Sequence, residues 1–167
     1  GVDPYLIAPT LALAMAQRLV KKICPDGGTK IPIEGSVKAM LDNEFADVPK
    51  KFRDTIPQAG SLTGLKATTA CPKGTKGRMA VFEVMEMNKD LEQVILTNPT
   101  EPKVREVARK QGMFTMREDA LIKSMNGLVP FEEVNTLGGA YDSVEEEEEK
   151  EDTQEDGKKG EKEAAKE

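Results

Sequence analysis

The run Gly77-Arg78-Met79-Ala80-Val81-Phe82-Glu83-Val84-Met85 sets the first limit on what this chain can fold into. Six of the seven residues after Arg78 are apolar, a glycine opens the run, and a polar turn from Glu86 to Asp90 closes it. A run this short, with Val and Phe inside it, predicts a strand covered on both faces. It is the strongest strand signal in the chain. Helical patterns flank it on both sides, so the core is expected to gather around it.

Upstream, Asp3-Pro4 reads as a helix start and Pro9 as its end. Leu11, Met15, Leu19 and Ile23 recur every four residues, with Ala12, Leu13, Ala14, Ala16 and Val20 widening the stripe. That pattern predicts a helix from Thr10 to about Ile23 whose first half is buried. Its polar residues are Gln17, Arg18, Lys21 and Lys22, bases that suit a helix C-terminus. Gln17 and Arg18 have two readings: a solvated last turn, or an arginine presented at a subunit or nucleotide interface. Cys24-Pro25-Asp26-Gly27-Gly28 ends this helix. Ser36 to Phe45 is expected to form a short amphipathic helix capped by Ser36, with Val37, Met40 and Leu41 inward. Asp47 to Ile56 is expected to form another, Gln58 to Gly64 a loop, and Leu65 to Ala70 a weak strand.

Downstream, Asn88 is expected to cap a helix running to Leu96, with Leu91, Val94 and Ile95 inward. Thr100 is expected to cap the next, with a stripe of Val104, Val107 and Ala108 and a terminating Gly112. Thr115-Met116-Arg117-Glu118 matches a capping box. Leu121, Ile122 and Met125 then face the core, Gly127 ends the helix, and Pro130 to Val134 opens a last short one.

Charge divides the chain unevenly. Residues 142–167 hold 13 acids and 5 bases, a net of −8, against 17 acids and 19 bases in the remainder, a net of +2. The segment cannot bury enough apolar area to offset its ordering entropy, so a disordered acidic tail is expected over 141–167, serving solubility or luring basic partners. The near-neutral remainder lacks interleaved aromatic and basic residues, which argues against a nucleic-acid partner. Cys24 and Cys71 are the only cysteines and there is no histidine. Two cysteines are not expected to make a disulfide scaffold for a chain this size. No signal peptide is evident, the apolar run from Tyr5 to Ala16 is too short to span a bilayer, and a cytoplasmic protein is expected. Gly1-Val2-Asp3 opens without Met, which reads as a fragment or a processed product.

The glycine-rich, basic stretch Cys71-Pro72-Lys73-Gly74-Thr75-Lys76-Gly77 is not a phosphate cradle. That motif needs Gly-x-x-x-x-Gly-Lys-Ser/Thr between a strand and a helix, whose first amides bind phosphate. Here no Lys-Ser/Thr pair follows the glycines, and the loop leads into a strand.

Three ordered motifs carry a family resemblance. They are Ala16-Gln17-Arg18-Leu19-Val20 followed by Cys24-Pro25; Lys76-Gly77-Arg78 running into Val81-Phe82-Glu83-Val84-Met85; and Gly112-Met113-Phe114-Thr115-Met116-Arg117-Glu118-Asp119-Ala120 followed by Gly127 and Phe131-Glu132-Glu133-Val134. Over residues 1–137 the chain resembles the C-terminal region of the traffic ATPases of type II secretion and type IV pilus assembly. The resemblance implies an α/β fold, a fragment of a RecA-like motor domain, mostly helical with a small sheet. It implies a homo-hexameric ring, ATP and magnesium as cofactors of the complete motor, and an inner-membrane platform protein as partner. The chain would then be cytoplasmic or peripheral at the inner membrane. It also places Gln17 and Arg18 in a recurring motif and points to Cys24 and Cys71 as remnants of a zinc knuckle. Gly27, Thr68 and Gly74 fill the positions where partner cysteines would stand, so a degenerate insertion over 24–71 with no metal is expected.

The expected organisation is thus a motor segment over 1–140 and a tail over 141–167. Without a phosphate loop the chain alone is expected to have no catalytic residues and to bind no cofactor. The alternative is a stand-alone helical interaction module with an acidic regulatory tail.

Overall fold

In the computed structural model residues 3–138 are described; the expected acidic tail lies outside the described residues. The chain divides into two units, Gly1–Leu137 and Gly138–Glu167, and every element named below belongs to the first.

The apolar run forms most of β4 (Thr75–Glu86), and its partner is β1 (Leu13–Ile23). The two pair antiparallel, with Leu13 opposite Glu86, Gln17 opposite Phe82 and Lys21 opposite Arg78, and a bulge falls between Lys21 and Ile23. This corrects two expectations. The segment expected to be a helix from Thr10 is a strand. Every fourth residue also satisfies a period of two, and Val20 and Ile23 fit a pleated surface better than a helix. Among the described residues the ribbon is also not covered on both faces. Val20 and Val81 are buried on one side, while Leu13, Met15, Leu19 and Val84 are exposed on the other.

Between β1 and β4 the chain makes a long excursion. It contains β2 (Thr29–Pro32), α2 (Gly35–Glu44), α3 (Lys50–Arg53) and β3 (Ser61–Gly64), with β2 and β3 paired antiparallel. The first helix is where its pattern put it and buries Met40 and Leu41, but Glu34 rather than Ser36 stands at its cap. Asp47 to Ile56 holds only the single turn of α3, although Val48, Phe52 and Ile56 still face the core. The strand expected at Leu65 to Ala70 lies four residues earlier, in a stretch expected to be loop. Leu62 there is fully buried, whereas the Thr-rich stretch keeps only an isolated bridge between Thr68 and Cys71.

The helical half follows its signals closely. It comprises α4 (Lys89–Thr97), α5 (Glu101–Lys110), α6 (Met116–Met125) and α7 (Phe131–Val134), after a single turn, α1 (Pro4–Ile7), at the chain's start. Asn88 caps α4 by accepting from the Leu91 amide, and Thr115 and Glu118 form a complete capping box. Thr100 occupies the cap position of α5 without a side-chain bond. Gly112 is required twice over: φ is +95°, and a Cβ would meet the Phe52 ring at 2.5 Å.

At the centre is α6, which packs against β4, β1, β3 and α7. Its Leu121 and Ala120 join Val20, Val81, Leu62, Met40, Leu41, Phe45, Val129 and Val134 in one core. Burying an aliphatic side chain of this kind contributes about 1.5–3 kcal/mol, so this cluster dominates the fold's stability.

Candidate functional site

Side chains from α6 and α7 close the strand edges that the small sheets leave open. Ser124 accepts from the Thr63 amide and donates to the Thr63 carbonyl, each at 3.2 Å, along β3. On the outer edge of β4, Asp119 accepts from the Phe82 amide at 2.8 Å, and the Lys123 ammonium donates to the Ala80 carbonyl at 2.8 Å. On the outer edge of β1, Glu133 accepts from the Lys21 amide at 2.9 Å and pairs with the Lys21 ammonium. Burial would raise the pKa of Glu133, but the bonds from Lys21 and its charge outweigh this and hold the carboxyl below the ordinary value.

That closure stops at Lys21. In an antiparallel strand alternate amides turn outward, so Met15, Gln17 and Leu19 present theirs on the same outer edge as Lys21. No described residue caps them. The side chains of these three residues also share the exposed face, where Met15 and Leu19 are each 57% exposed. Val84 lies opposite Met15 and Phe82 opposite Gln17. Among the described residues an open strand edge thus lies beside an exposed apolar face.

Gln17 and Arg18 lie at the middle of this ribbon, and on a strand they point to opposite faces. Gln17 belongs to the apolar face. Arg18 sits opposite Val81 with its head in solvent and makes no hydrogen bond or ion pair among the described residues. Both were expected on a helix end; they lie instead on a strand, and both are solvent-exposed there. Beside the ribbon a groove of about 340 Å³ runs between Ala14, Ala16 and Met85 on the strands and Val104, Ala108 and Met113 on the α5 side, with Glu83 and Arg105 among its charged residues.

Ion pairs fix the helical half. Arg109, near the end of α5, bonds Glu118 through two nitrogens, reaches Asp47, and donates to the Met113 carbonyl. Glu118 is 1% exposed and also accepts from the Thr115 amide at 2.8 Å, so one carboxylate serves the capping box and the ion pair together. Burial alone would lower the Arg109 pKa, but its bonds to Glu118 and Asp47 and their charge outweigh that and raise it. Arg117 pairs with Glu44 at 3.1 Å and donates to the Val134 carbonyl, tying α6 to α2 and α7. The capping box explained Glu118 from sequence alone. Nothing in the spacing marked Arg109 as its partner, because the pair forms only when α5 folds back on α6.

Cys24 and Cys71 are brought together and are disulfide-bonded, with Cα atoms 6.7 Å apart. They were expected to be ordinary cysteines lying near each other in the fold; they do lie together, and the bond between them is the correction. Gly27, Thr68 and Gly74 all lie around the bridge. Among the described residues no group of three or more Cys, Asp or Glu is placed to hold a metal ion.

Residues 1–136 match the family described as Type II/IV secretion system protein. The chain is 28% identical over 134 residues to the type IV pilus assembly ATPase PilB of Thermus thermophilus, which is 80% of this chain and 14% of that protein. It is 30% identical over 135 residues both to PilB of Myxococcus xanthus and to the type II secretion system protein E of Xanthomonas campestris, in each case 80% of this chain and 22% of the relative. The chain therefore spans between 14% and 22% of the length of these relatives. A family match across the whole described fold settles the affiliation: the chain belongs to the Type II/IV secretion system protein family.

Proposed function

We propose that this chain is the C-terminal part of a RecA-like motor domain in a hexameric ATPase that powers type IV pilus assembly or type II protein secretion. The observation that carries this reading is the family match over residues 1–136, with relatives that are ATPases of these two machines. The ribbon supports it from the physical side. Its open β1 edge and its exposed Leu13, Met15, Leu19 and Val84 suit a sheet that continues into further chain. In that motor six copies form a ring at the cytoplasmic side of the inner membrane, against a platform protein. Among the described residues no helix is long and apolar enough to cross a membrane.

In this reading the segment is not catalytic by itself. Phosphoryl transfer needs backbone amides and a lysine on the phosphates and an acid helping to hold magnesium. The chain's glycine-rich stretch lacks that motif, Glu83 belongs to the ribbon, and Glu118 is consumed by Arg109 and the capping box. Lost electrostatic stabilisation of this kind costs orders of magnitude in rate. The purified chain, assayed for phosphate release with ATP and magnesium and for nucleotide binding by calorimetry, should show neither. Turnover that co-purifies with the chain would overturn the reading. A reading frame upstream of Gly1 that continues into a phosphate loop would support it, whereas a start codon there would favour a stand-alone interaction module.

A further inference from the structure

We propose that Cys24 and Cys71 form a redox-reversible clamp that fastens the two ends of the excursion between β1 and β4. Cys24 directly follows β1, and Cys71 stands just before β4, 47 residues later in sequence. They are the only cysteines in the chain, so the pairing has no intramolecular competitor. The bond closes a long loop at its base, where a cross-link restrains the unfolded chain most.

Two features make the clamp reversible rather than a condition of folding. The chain crossings meet without it: the Cys24 amide donates to the Gly74 carbonyl at 3.2 Å, and Gly74, at φ +69°, lies so close to the Lys66 carbonyl that a Cβ would sit 3.0 Å from its oxygen. Close to its base the excursion is also held independently, by Ser124 on Thr63 and by Glu132 accepting from the Leu65 amide. Reduced thiols would thus remain side by side, ready to re-form the bond.

The surroundings also favour exchange. Cys24 is 4% exposed, whereas Cys71 is half-buried and lies on the surface loop. Residues 65–78 carry Lys66, Lys73, Lys76 and Arg78 and no acid. Such a cationic stretch draws an incoming thiolate to the Cys71 sulfur and stabilises the Cys71 thiolate released in the second displacement. A dithiol reductant's thiolate attacks the Cys71 sulfur, forming a mixed disulfide and releasing Cys24 as a thiolate, which takes a proton. The reductant's second thiol then displaces Cys71 and closes the reductant's own disulfide. Two electrons pass from the dithiol to the cysteine pair. This tie does for the excursion's base what a metal would do with four ligands, from a ligand set that offers two.

The test uses the full chain, purified without reductant and with free thiols blocked on lysis. Thiol titration in denaturant should find no free thiol before a dithiol reductant and two after it. Reduction should lower Tm by about 10 °C and open the 66–74 loop to limited proteolysis. Removing the reductant in air should restore both. Cys24→Ser/Cys71→Ser should fold with the Tm of the reduced protein and ignore reductant. Free thiols in the oxidised preparation, a Tm that reduction does not move, or failure of air to restore it would overturn the proposal. So would a double variant that does not fold, which would make the bond a folding requirement. One zinc per chain by elemental analysis, released by chelator with loss of Tm, would overturn it in favour of metal.

Discussion

The α6 helix and the β1–β4 ribbon invert the usual placement of charge and hydrocarbon in opposite ways. Arg117, Glu118 and Ser124 are buried on α6, while Met15 and Leu19 on the ribbon are more exposed than covered. The buried charges have their partners inside the chain: Glu118 has Arg109 and the Thr115 amide, and Arg117 has Glu44. The exposed side chains of the ribbon have no comparable cover among the described residues. The buried charges of α6 find their partners within the chain, on α5 and on α2, whereas the ribbon shows an apolar face and an open edge that no described residue covers.

The largest effect should come from breaking that internal closure. Arg109→Met leaves the Glu118 carboxylate in a site that is 1% exposed with its main counter-charge gone. Stripping one partner from a buried pair costs about 3–5 kcal/mol, readable as a fall in the denaturant midpoint. Asp47 is 65% exposed at its side chain, and Asp47→Ala should cost less than about 1 kcal/mol. If the two variants cost the same, the helical half is not held by the buried pair and the contrast with the ribbon fails.

Glu133 joins the two regions, since it sits on α7 and closes the β1 edge at Lys21. Its pKa is lowered in the folded chain. A carboxyl depressed on folding adds stability above its unfolded pKa, roughly 4.3, and loses it as pH falls through the folded value. Glu133→Gln should therefore cost about 1 kcal/mol at neutral pH, and the gap between variant and parent should close below pH 4. A gap that persists in acid would mean that Glu133 matters through packing rather than charge.

The helical half was legible from sequence because its signals are local. Asn88, Thr115 with Glu118, Gly112 and Gly127 each mark a boundary by chemistry acting within four residues. The β1 strand was not, because its helical and strand readings differ only in what lies opposite. Leu11, Met15, Leu19 and Ile23 fit both periods, and only pairing with a segment more than fifty residues away decides between them. The disulfide spans 47 residues, and the Arg109–Glu118 pair forms only when α5 folds back on α6, so no local pattern marked either. The expected cover on both faces of Val81 failed for a related reason: composition shows that a strand is apolar, not whether this chain supplies the second layer. The family motifs put Gln17 and Arg18 together as a candidate site. Only the ribbon shows that they face opposite ways.

A sharper probe of the ribbon should barely move stability. Met15→Ser and Leu19→Ser remove side chains that are largely solvated, so each should change stability by about 0.5 kcal/mol or less. The double variant should still bind less of an apolar fluorescent dye and self-associate less in sedimentation at high concentration. A loss of several kcal/mol would show that these residues are packed, and the ribbon would be no less complete than α6.

The smallest effect on the fold, and the most informative for the motor proposed above, belongs to Arg18. Its head lies in solvent on the face of the ribbon opposite Gln17, with no bond among the described residues, so Arg18→Ala should leave the melting of this chain unchanged within error. Its planar guanidinium can pair bidentately with a carboxylate or a phosphate, which suits a neighbouring subunit or the nucleotide it holds. In the complete motor the same substitution should weaken ring assembly or lower ATP turnover. Arg18→Lys keeps the charge but not the fork, and should recover little if the contact is bidentate. A complete motor carrying Arg18→Ala that assembles and turns over normally would reduce Arg18 to a solvated strand residue and leave the interface to the apolar face alone.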